Sequence, residues 1–570
     1  MAYYILGLND SNSAAALMRD GELVAAARQE RFDRIKFSDK FPLDAVSYCL
    51  QEADIDIKQV DQVVFAWNPG HELEPQFSPR AQREHRNFLH YVPNQLLRHV
   101  SGEPGNKRIK QIQQRLVLPD ADLSITFAPH HECHACAAFF ASPFESAAIM
   151  TMDAYGDDHT HAFWRGAGNR IERLGATKFP HSIGAVYAAV TQFLGYRANS
   201  DEWKVMGLAA YGKPTYYEAF AKMLDFDNET GQIRVDLNMF SYYLWSPRRY
   251  TEAFTRFLGP ERLAGEELTQ RHKDIAASFQ KRVEEVGLKA AARIHEMTGE
   301  HNLCLAGGVF MNSKMNGLLQ RDSNFDNVWV QPSADDGGGA LGACLWHWCQ
   351  ELGNPRSFSM DHDYWGPGYS EEEIKEALDA SLIEYERLEN PAVTAAQSIA
   401  KGRVVGWFQG RMEYGQRALG NRSILADPRQ PEMKDKINAM VKHREWYRPF
   451  APAVLAEYQS EYFQSGKCSP FMQMVYDVRM ENNPLGATTH ADNTARIQTV
   501  TRAENPLYWE LIDEFRKLTG VASVLNTSFN DNDEPIVMTP VQAIRTFYAT
   551  GIEELFIGPF RLVKPKSSCK

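Results

Sequence analysis

One pattern occurs twice in this chain and limits its fold more than any single motif does. Residues 3–10, "YYILGLND", read as a strand, and "AAALMRDGELVAAARQE" holds two alternating runs joined by Asp20-Gly21, a pair suited to a tight hairpin turn. Residues 147–176, "AAIMTMDAYGDDHTHAFWRGAGNRIERLGA", repeat the order: a buried strand ending in an Asp and a Gly-containing turn, then a hairpin. A duplicated strand-and-hairpin unit predicts two similar α/β halves, a layout used to clamp a nucleotide between lobes.

The following segments extend both halves. "IAASFQKRVEEVGLKAAARIHEMTG" has helical periodicity and runs into "NLCLAGGVFMNSKMNGLL", a short apolar strand, two glycines and a new helix. "NVWVQPSADDGGGALGACLWHWCQELG" repeats the strand, polar-glycine turn and helix, and ligands of open α/β sheets collect at such carboxyl ends of strands. Residues 353–370, rich in Pro, Gly and Ser, read as a linker. The expected domains are therefore 1–355 and 365–570, the second an α/β domain with two leading helices and the strands "RVVGWFQG", "ARIQTVT", "ASVLNTSF" and "LFIGPFRLV".

Composition narrows the function classes. The formal charge of -12 argues against a general binder of nucleic-acid backbone, whose footprint is a basic domain. No basic leader precedes an apolar run and no apolar stretch reaches a membrane-spanning length, so the expectation is a cytoplasmic protein with no membrane partner. Eight scattered cysteines do not resemble a disulfide framework.

Residues 127–142, "FAPHHECHACAAFFAS", concentrate three histidines, a glutamate and two cysteines. His130 and His134 are four apart, so on a helix both imidazoles leave one face, as two ligands of one ion would; histidines at this spacing also cap helices or satisfy core hydrogen bonds. Asp153 in "MDAYGDD" and Asp336 in "SADDGGGALG" end strands where a duplicated fold faces its cleft, and two imidazoles with two carboxylates suit iron, manganese or zinc. Cys133 and Cys136 form half of a structural zinc motif that lacks its second half, and Ala135 stands where the HExxH of zinc proteases needs a histidine.

The glycine turns at Gly307-Gly308 and at 337–339, with Lys204 in "DEWKVMGLAAYGKP", either close tight strand-to-helix connections or admit a nucleotide. In the second domain, Arg417, Lys442, Arg448 and Arg496 sit beside Gly, Pro, aromatic and apolar residues, where a charge is costly unless it meets an anion. These point to a phosphate or carboxyphosphate pocket.

The strings "RQERFDRIKF", "PHHECHACAAF", "KVMGLAAYG", "GGVFMN", "DDGGGALG", "GRMEYGQRALGNRSILADPR", "REWYRPFAPAV", "TARIQTV" and "LNTSFN" resemble, in order, the signatures of the ATP-dependent O-carbamoyltransferases of antibiotic and nodulation-factor biosynthesis. The resemblance implies an actin/Hsp70-like N-terminal domain joined to a YrdC-like C-terminal domain. It also implies a chemistry: carbamoyl phosphate and ATP give carbamoyl adenylate in the C-terminal domain, and the N-terminal domain passes the carbamoyl group to a hydroxyl of a small-molecule natural product. By the same resemblance His130, His134, Asp153 and Asp336 hold a metal, iron(II) foremost. Lys36, Lys204, Gly307, Gly308 and Asn312 would contact donor or nucleotide, and Arg417, Lys442, Arg448, Arg496 and Asn526 carbamoyl phosphate and ATP.

Many such relatives carry a His-Asp pair in the first hairpin, whereas here the segment is "NDSNSAAAL". Asp10 is the expected substitute base, and Asn12, beside Ser11, the expected acceptor contact. Tyr91, Phe240, Tyr242, Tyr243, Trp245 and Tyr250 either line an acceptor pocket or pack a helical insertion. The competing functions are a sugar or acyl kinase, which would release ADP, and a non-catalytic nucleotide-binding regulator. A monomer or homodimer is expected.

Overall fold

The structure is a computed structural model that describes residues 2–67, 116, 123–244, 247–481 and 483–564; Tyr91 and Trp245 lie outside the described residues. The chain divides into two compact units, unit 1 formed by Met1–Gln29 with Phe37–Met360 and unit 2 by Glu30–Lys36 with Asp361–Lys570. The boundary at 360/361 falls inside the Pro/Gly/Ser-rich stretch 353–370, which carries no helix or strand.

In unit 1, β1 (Tyr4–Asn9), β2 (Ala14–Arg19), β3 (Glu22–Arg28), β4 (Gln62–Phe65) and β5 (Ile125–Phe127) form a sheet in the order β3-β2-β1-β4-β5. A second sheet contains β6 (Ser146–Gly156), β7 (His159–Ala167), β8 (Arg170–Lys178), β11 (Asn302–Ala306) and β12 (Asn327–Val330), while β9 (Leu224–Asp227) and β10 (Gln232–Val235) form a separate hairpin. Read as β8-β7-β6-β11-β12, the second sheet has the topology of the first: three antiparallel strands, then two parallel to the first of them. The duplication is thus real at the level of topology. Asp20 and Gly21 take φ of 53° and 89°, the two positive values that a hairpin turn of this hand requires.

Small residues let the helices lie close on these sheets. A Cβ on Gly7 of β1 would stand 1.9 Å from the carbonyl oxygen of Ala340, in the helix Gly339–Leu345. A Cβ on Gly342 would stand 2.0 Å from the carbonyl oxygen of Cys133, in the helix His130–Phe139. The sequence "GALGACL" therefore seats one helix against both β1 and the histidine-bearing helix, and it begins directly after Asp336.

Unit 2 is built on an eight-stranded mixed sheet in the order β13-β22-β21-β14-β15-β20-β16-β19. Its strands are β13 (Glu386–Arg387), β14 (Val405–Phe408), β15 (Arg422–Ala426), β16 (Ala451–Leu455), β19 (Gln498–Val500), β20 (Ser523–Ser528), β21 (Glu554–Ile557) and β22 (Phe560–Val563). β17 (Val475–Asp477) and β18 (Thr494–Arg496) pair apart from it. The segment read as one strand, "LFIGPFRLV", is a hairpin, because Gly558 at φ 52° and Pro559 turn the chain back on itself. The α/β class and the duplicated first half read from the sequence are the architecture of the chain.

The short helix Glu30–Asp33 and the residues after it belong to unit 2, which no periodicity announces. Phe32 packs on the buried cluster Met412, Ala418, Ile536 and Met538. Arg31 donates to the carbonyl of Gly415 at 2.9 Å, and Arg34 to those of Pro535 and Ile536 at 2.6 and 2.7 Å.

Replacing Gly342 by Ala forces a methyl into the Cys133 carbonyl, an overpacking cost of about 1–3 kcal/mol. A fall of several degrees in the melting temperature of Gly342→Ala, measured calorimetrically, is the expected outcome.

Candidate metal centre and anion site

The helix His130–Phe139 turns two imidazoles toward the ends of β6 and of the loop after β12. The Nε2 atoms of His130 and His134 stand 3.1 Å apart. Asp153 Oδ2 lies 3.7 Å from His130 Nε2 and 3.2 Å from His134 Nε2, and Asp336 Oδ1 lies 3.6 and 3.7 Å from them. All four donor atoms fall within 4.8 Å of one another, and both histidines are 1% exposed. Donors sharing one ion through bonds of about 2.1 Å stand about 3.0 Å apart at octahedral right angles and about 3.4 Å apart in a tetrahedron. The observed spacings, 3.1–3.7 Å, lie on and slightly above those values, and among the described residues Asp153 Oδ2 is sealed from solvent without a hydrogen-bond partner, so the donor set fits a divalent ion.

Local structure fixes each donor. His130 Nδ1 is 3.2 Å from the carbonyl of Ala66, which assigns the proton to Nδ1 and leaves the Nε2 lone pair facing the cluster. The His130 amide donates to Asp157 at 2.6 Å, so this second carboxylate of "MDAYGDD" holds the helix start. Gly156 leaves room for the imidazole, since a Cβ there would reach 2.0 Å from the His130 ring. His131, the third histidine, is a core residue: its ring nitrogens meet the Thr151 hydroxyl at 2.9 Å and the His159 carbonyl at 3.1 Å. Cys133 and Cys136 are fully buried, and burial pushes both thiols well above their ordinary pKa.

The electrostatics agree with the geometry. Burial opposes charge on His134, yet the neighbouring Asp153 and Asp336 carboxylates outweigh it and push its pKa up to about 9. Burial likewise disfavours a charged Asp153, but the two histidines hold it well below the usual carboxylate range, while burial and the Asp153 charge raise Asp336. Four buried donors thus call for positive charge at their centre.

The other unit 1 candidates fall around this cluster or away from it. Gly307, at φ 101°, lets the end of β11 close to where a Cβ would be 2.1 Å from the Met152 carbonyl, and a Cβ on Gly308 would be 3.1 Å from Asp153 Oδ1. Asn312 instead caps the helix Ser313–Asp322 through Met315 and forms a reciprocal amide pair with Gln280 at 3.0 and 3.1 Å. Lys204 lies 3.3 Å from Asp201 and over the rings of Tyr196 and Trp203. Asp10, Ser11 and Asn12 lie in the turn between β1 and β2; Ser11 donates to Asp336 Oδ2 at 2.5 Å, and Asn12, at φ 47°, donates its backbone amide to Asp39 at 3.1 Å. Phe240, Tyr242 and Tyr250 are buried, and Tyr242 donates to the Pro180 carbonyl at 2.6 Å, so packing accounts for these aromatics.

Unit 2 gathers cations. Arg496 carries a guanidinium whose charge is disfavoured first by burial and then by Arg417, Arg444 and Arg448, and its Nε is sealed without a hydrogen-bond partner. Burial, Arg444, Arg448 and Lys36 disfavour charge on Lys442 in the same way, and Asp531 opposes them. Lys36, in the Glu30–Lys36 segment, thus joins this group, as does Arg444, which the sequence reading passed over although it stands in "VKHREWYRPF" between two named cations. Lys442 is caged by oxygens, donating to the carbonyls of Ser528 and Asn530 at 2.6 and 3.0 Å and to Asn530 Oδ1 at 2.7 Å. Asn526 donates to the Ala418 carbonyl at 3.1 Å and to Gln498 at 2.9 Å, leaving its buried Oδ1 without a partner. Arg448 lies 3.3 Å from Glu445. Guanidinium stays protonated at any ordinary pH, so mutually repelling, half-desolvated cations of this number fit a ligand with several negative oxygens.

Glu413 shapes the loop that presents Arg417: its Oε1 accepts the amides of Leu419 and Asn421 at 2.7 and 3.0 Å. Arg422, although in the same basic motif, is a core residue that donates to the carbonyls of Gln409, Gly410, Asn421 and Pro367 and stacks 3.7 Å over Phe408.

Family models described as carbamoyltransferase N-terminus and carbamoyltransferase C-terminus match residues 4–345 and 396–564. Nodulation protein NolNO of Sinorhizobium fredii is 39% identical over 98% of this chain and 79% of its own length. Nodulation protein NolO of Bradyrhizobium diazoefficiens is 43% identical over 77% of this chain and 79% of its own. Among solved structures, T. kodakarensis HypF is similar with 12% identity and a TM-score of 0.36, over 62% of this chain and 48% of that one.

Titration of metal-stripped protein with zinc(II) is expected to give one site per chain. His134→Ala should weaken it by about a hundredfold or more, a ligand costing at least what its outer-shell partners do. His131→Gln should keep the stoichiometry while lowering the melting temperature.

Proposed function

The chain belongs to the carbamoyltransferase family and is an enzyme that transfers a carbamoyl group, and from that premise we propose an ATP-dependent O-carbamoyltransferase acting on a hydroxyl of a small-molecule natural product. In this reading unit 2 takes carbamoyl phosphate and ATP. Water hydrolyses carbamoyl phosphate to carbamate and inorganic phosphate, and a carbamate oxygen attacks the α-phosphorus of ATP, displacing pyrophosphate and giving carbamoyl adenylate. In unit 1 the acceptor oxygen attacks the carbamoyl carbon, AMP leaves, and the hydroxyl proton passes to a base.

The observation that carries this reading is the unit 2 cluster of Lys36, Arg417, Lys442, Arg444, Arg448 and Arg496, in which the buried Lys442, Arg444 and Arg496 feel the positive charge of the others. Two phosphate-bearing substrates would bring negative charge to it, and bidentate guanidinium contacts would orient their oxygens. The caged Lys442 fixes the loop around Ser528 and Asn530 beside Asn526, so its part is to hold that wall of the site as well as to add charge. Activation answers a chemical need, because carbamate alone would have to expel oxide or hydroxide, whereas the mixed anhydride expels AMP.

His130, His134, Asp153 and Asp336 would hold a divalent ion, with iron(II) proposed ahead of manganese and zinc for this mixed nitrogen and oxygen set. When bound, such an ion supplies Lewis-acid polarisation of a carbonyl or phosphoryl oxygen. Asp10, in the turn that also carries Ser11, is the proposed acceptor of the hydroxyl proton. In this reading the protein is a cytoplasmic monomer or homodimer; separately, among the described residues no helix is long and apolar enough to cross a membrane.

Purified protein given ATP, carbamoyl phosphate and iron(II) should release pyrophosphate only when carbamoyl phosphate is present. Arg496→Ala should cut that release by about a hundredfold, consistent with losing a charge-assisted contact of about 1.5–3 kcal/mol. ADP as the product would replace this reading with a kinase. With an acceptor in hand, Asp10→Asn is expected to lose kcat about 100-fold or more at unchanged acceptor KM, and wild-type turnover would remove Asp10 from the role.

A further inference from the structure

The fourth donor, Asp336, does not stand on a strand or on a long helix; it opens a single 3-10 turn, Asp336–Gly338, in a loop that would otherwise be free to re-aim its carboxylate. Two sets of contacts prevent that. From the end of β3, Arg28, 2% exposed, donates to both oxygens of the neighbouring Asp335 and to the hydroxyl of Ser333. Gly337 packs on the same guanidinium, where a Cβ would come to 2.7 Å. From the end of β1, Asn9 Nδ2 bridges the carbonyls of Ser11 and Asp336 at 2.6 and 2.7 Å. This bridge brings the Ser11 hydroxyl to 2.5 Å from Asp336 Oδ2, the oxygen opposite the one that faces the two imidazoles.

We propose that Ser11 is a positioning residue of the metal centre, its hydroxyl holding Asp336 Oδ2 so that Oδ1 meets the ion as a single-oxygen ligand. The inference rests on the reading of His130, His134, Asp153 and Asp336 as metal ligands. Three features carry it. The hydroxyl occupies one oxygen, so the carboxylate presents only the other. The backbone that carries Ser11 is itself tied to the Asp336 carbonyl through Asn9, so hydroxyl and carboxylate are held in register by a second, independent bond. The turn is short, four residues between Asn9 and Ala14, and Asn12 at positive φ with its amide on Asp39 closes it. Outer-shell partners of this kind change metal affinity by about 10–100-fold when removed.

Zinc(II) alone, titrated calorimetrically into metal-stripped wild type, Ser11→Ala, Ser11→Thr and His134→Ala, tests this. Ser11→Ala should bind about tenfold more weakly than wild type, Ser11→Thr should recover most of the loss, and the melting temperature of the metal-free protein should stay unchanged in both. If wild type shows His134-dependent binding and Ser11→Ala binds within about twofold of it, the positioning role falls while the metal centre stands. If wild type binds no zinc that His134→Ala abolishes, the metal reading falls and takes the inference with it. Equal losses in Ser11→Ala and Ser11→Thr, or a matching drop in metal-free melting temperature, would overturn the hydroxyl as the cause.

Discussion

Two imidazole nitrogens 3.1 Å apart, with two carboxylates less than 4 Å from them in a buried place, form an arrangement that ordinary side-chain packing avoids. The donors come from residues 130, 134, 153 and 336, so more than a third of the chain must close correctly before they meet. The duplicated sheets make this closure possible: β6 carries Asp153 near its end, β12 leads to Asp336, and the helix Gly339–Leu345 binds the histidine helix to β1 through contacts only glycine allows. Much of the small-residue content of unit 1 has this geometric reason. The "MDAYGDD" turn shows the economy of the design, with Asp153 a donor, Gly156 a space for an imidazole and Asp157 the anchor of the helix start.

Unit 2 presents the complementary problem. There the like charges are positive, and carbonyl cages and stacked rings help to hold them near one another. Arg444 stacks 4.1 Å over Phe450 and donates to Asn438 and the Pro449 carbonyl, so its position is fixed without neutralising it. A site preorganised in this way gives up stability in the free protein and recovers it when an anion enters, which is how preorganised binding surfaces gain affinity.

Local rules carried the sequence reading as far as local rules reach. The Asp20-Gly21 turn, the i,i+4 histidines and the two Gly-containing turns have signatures within a few residues, and the sheets and helices follow them. "RSILA" and "APAV" were legible only as basic and proline-rich motif, because β15 and β16 are buried among other strands and show no alternation. Asn312 resembled a ligand contact, and the structure spends its amide on Gln280, a residue 32 positions away that no spacing rule connects to it. His131 could not be separated from its neighbours by sequence, since only the third dimension brings Thr151 and the His159 carbonyl to its ring. The Glu30–Lys36 excursion was hidden for the same reason: its partners Gly415, Pro535 and Ile536 lie hundreds of residues downstream.

That excursion bears on how the molecule is made. A ribosome emits Phe32 and its flanking arginines among the first residues, but the surface on which they rest starts only after residue 360. At roughly 5–20 residues per second, the helix waits on the order of 25 to 100 s before the last of Phe32's partners, Met538, is made. The last unit to be synthesised is therefore completed by one of the first helices to emerge.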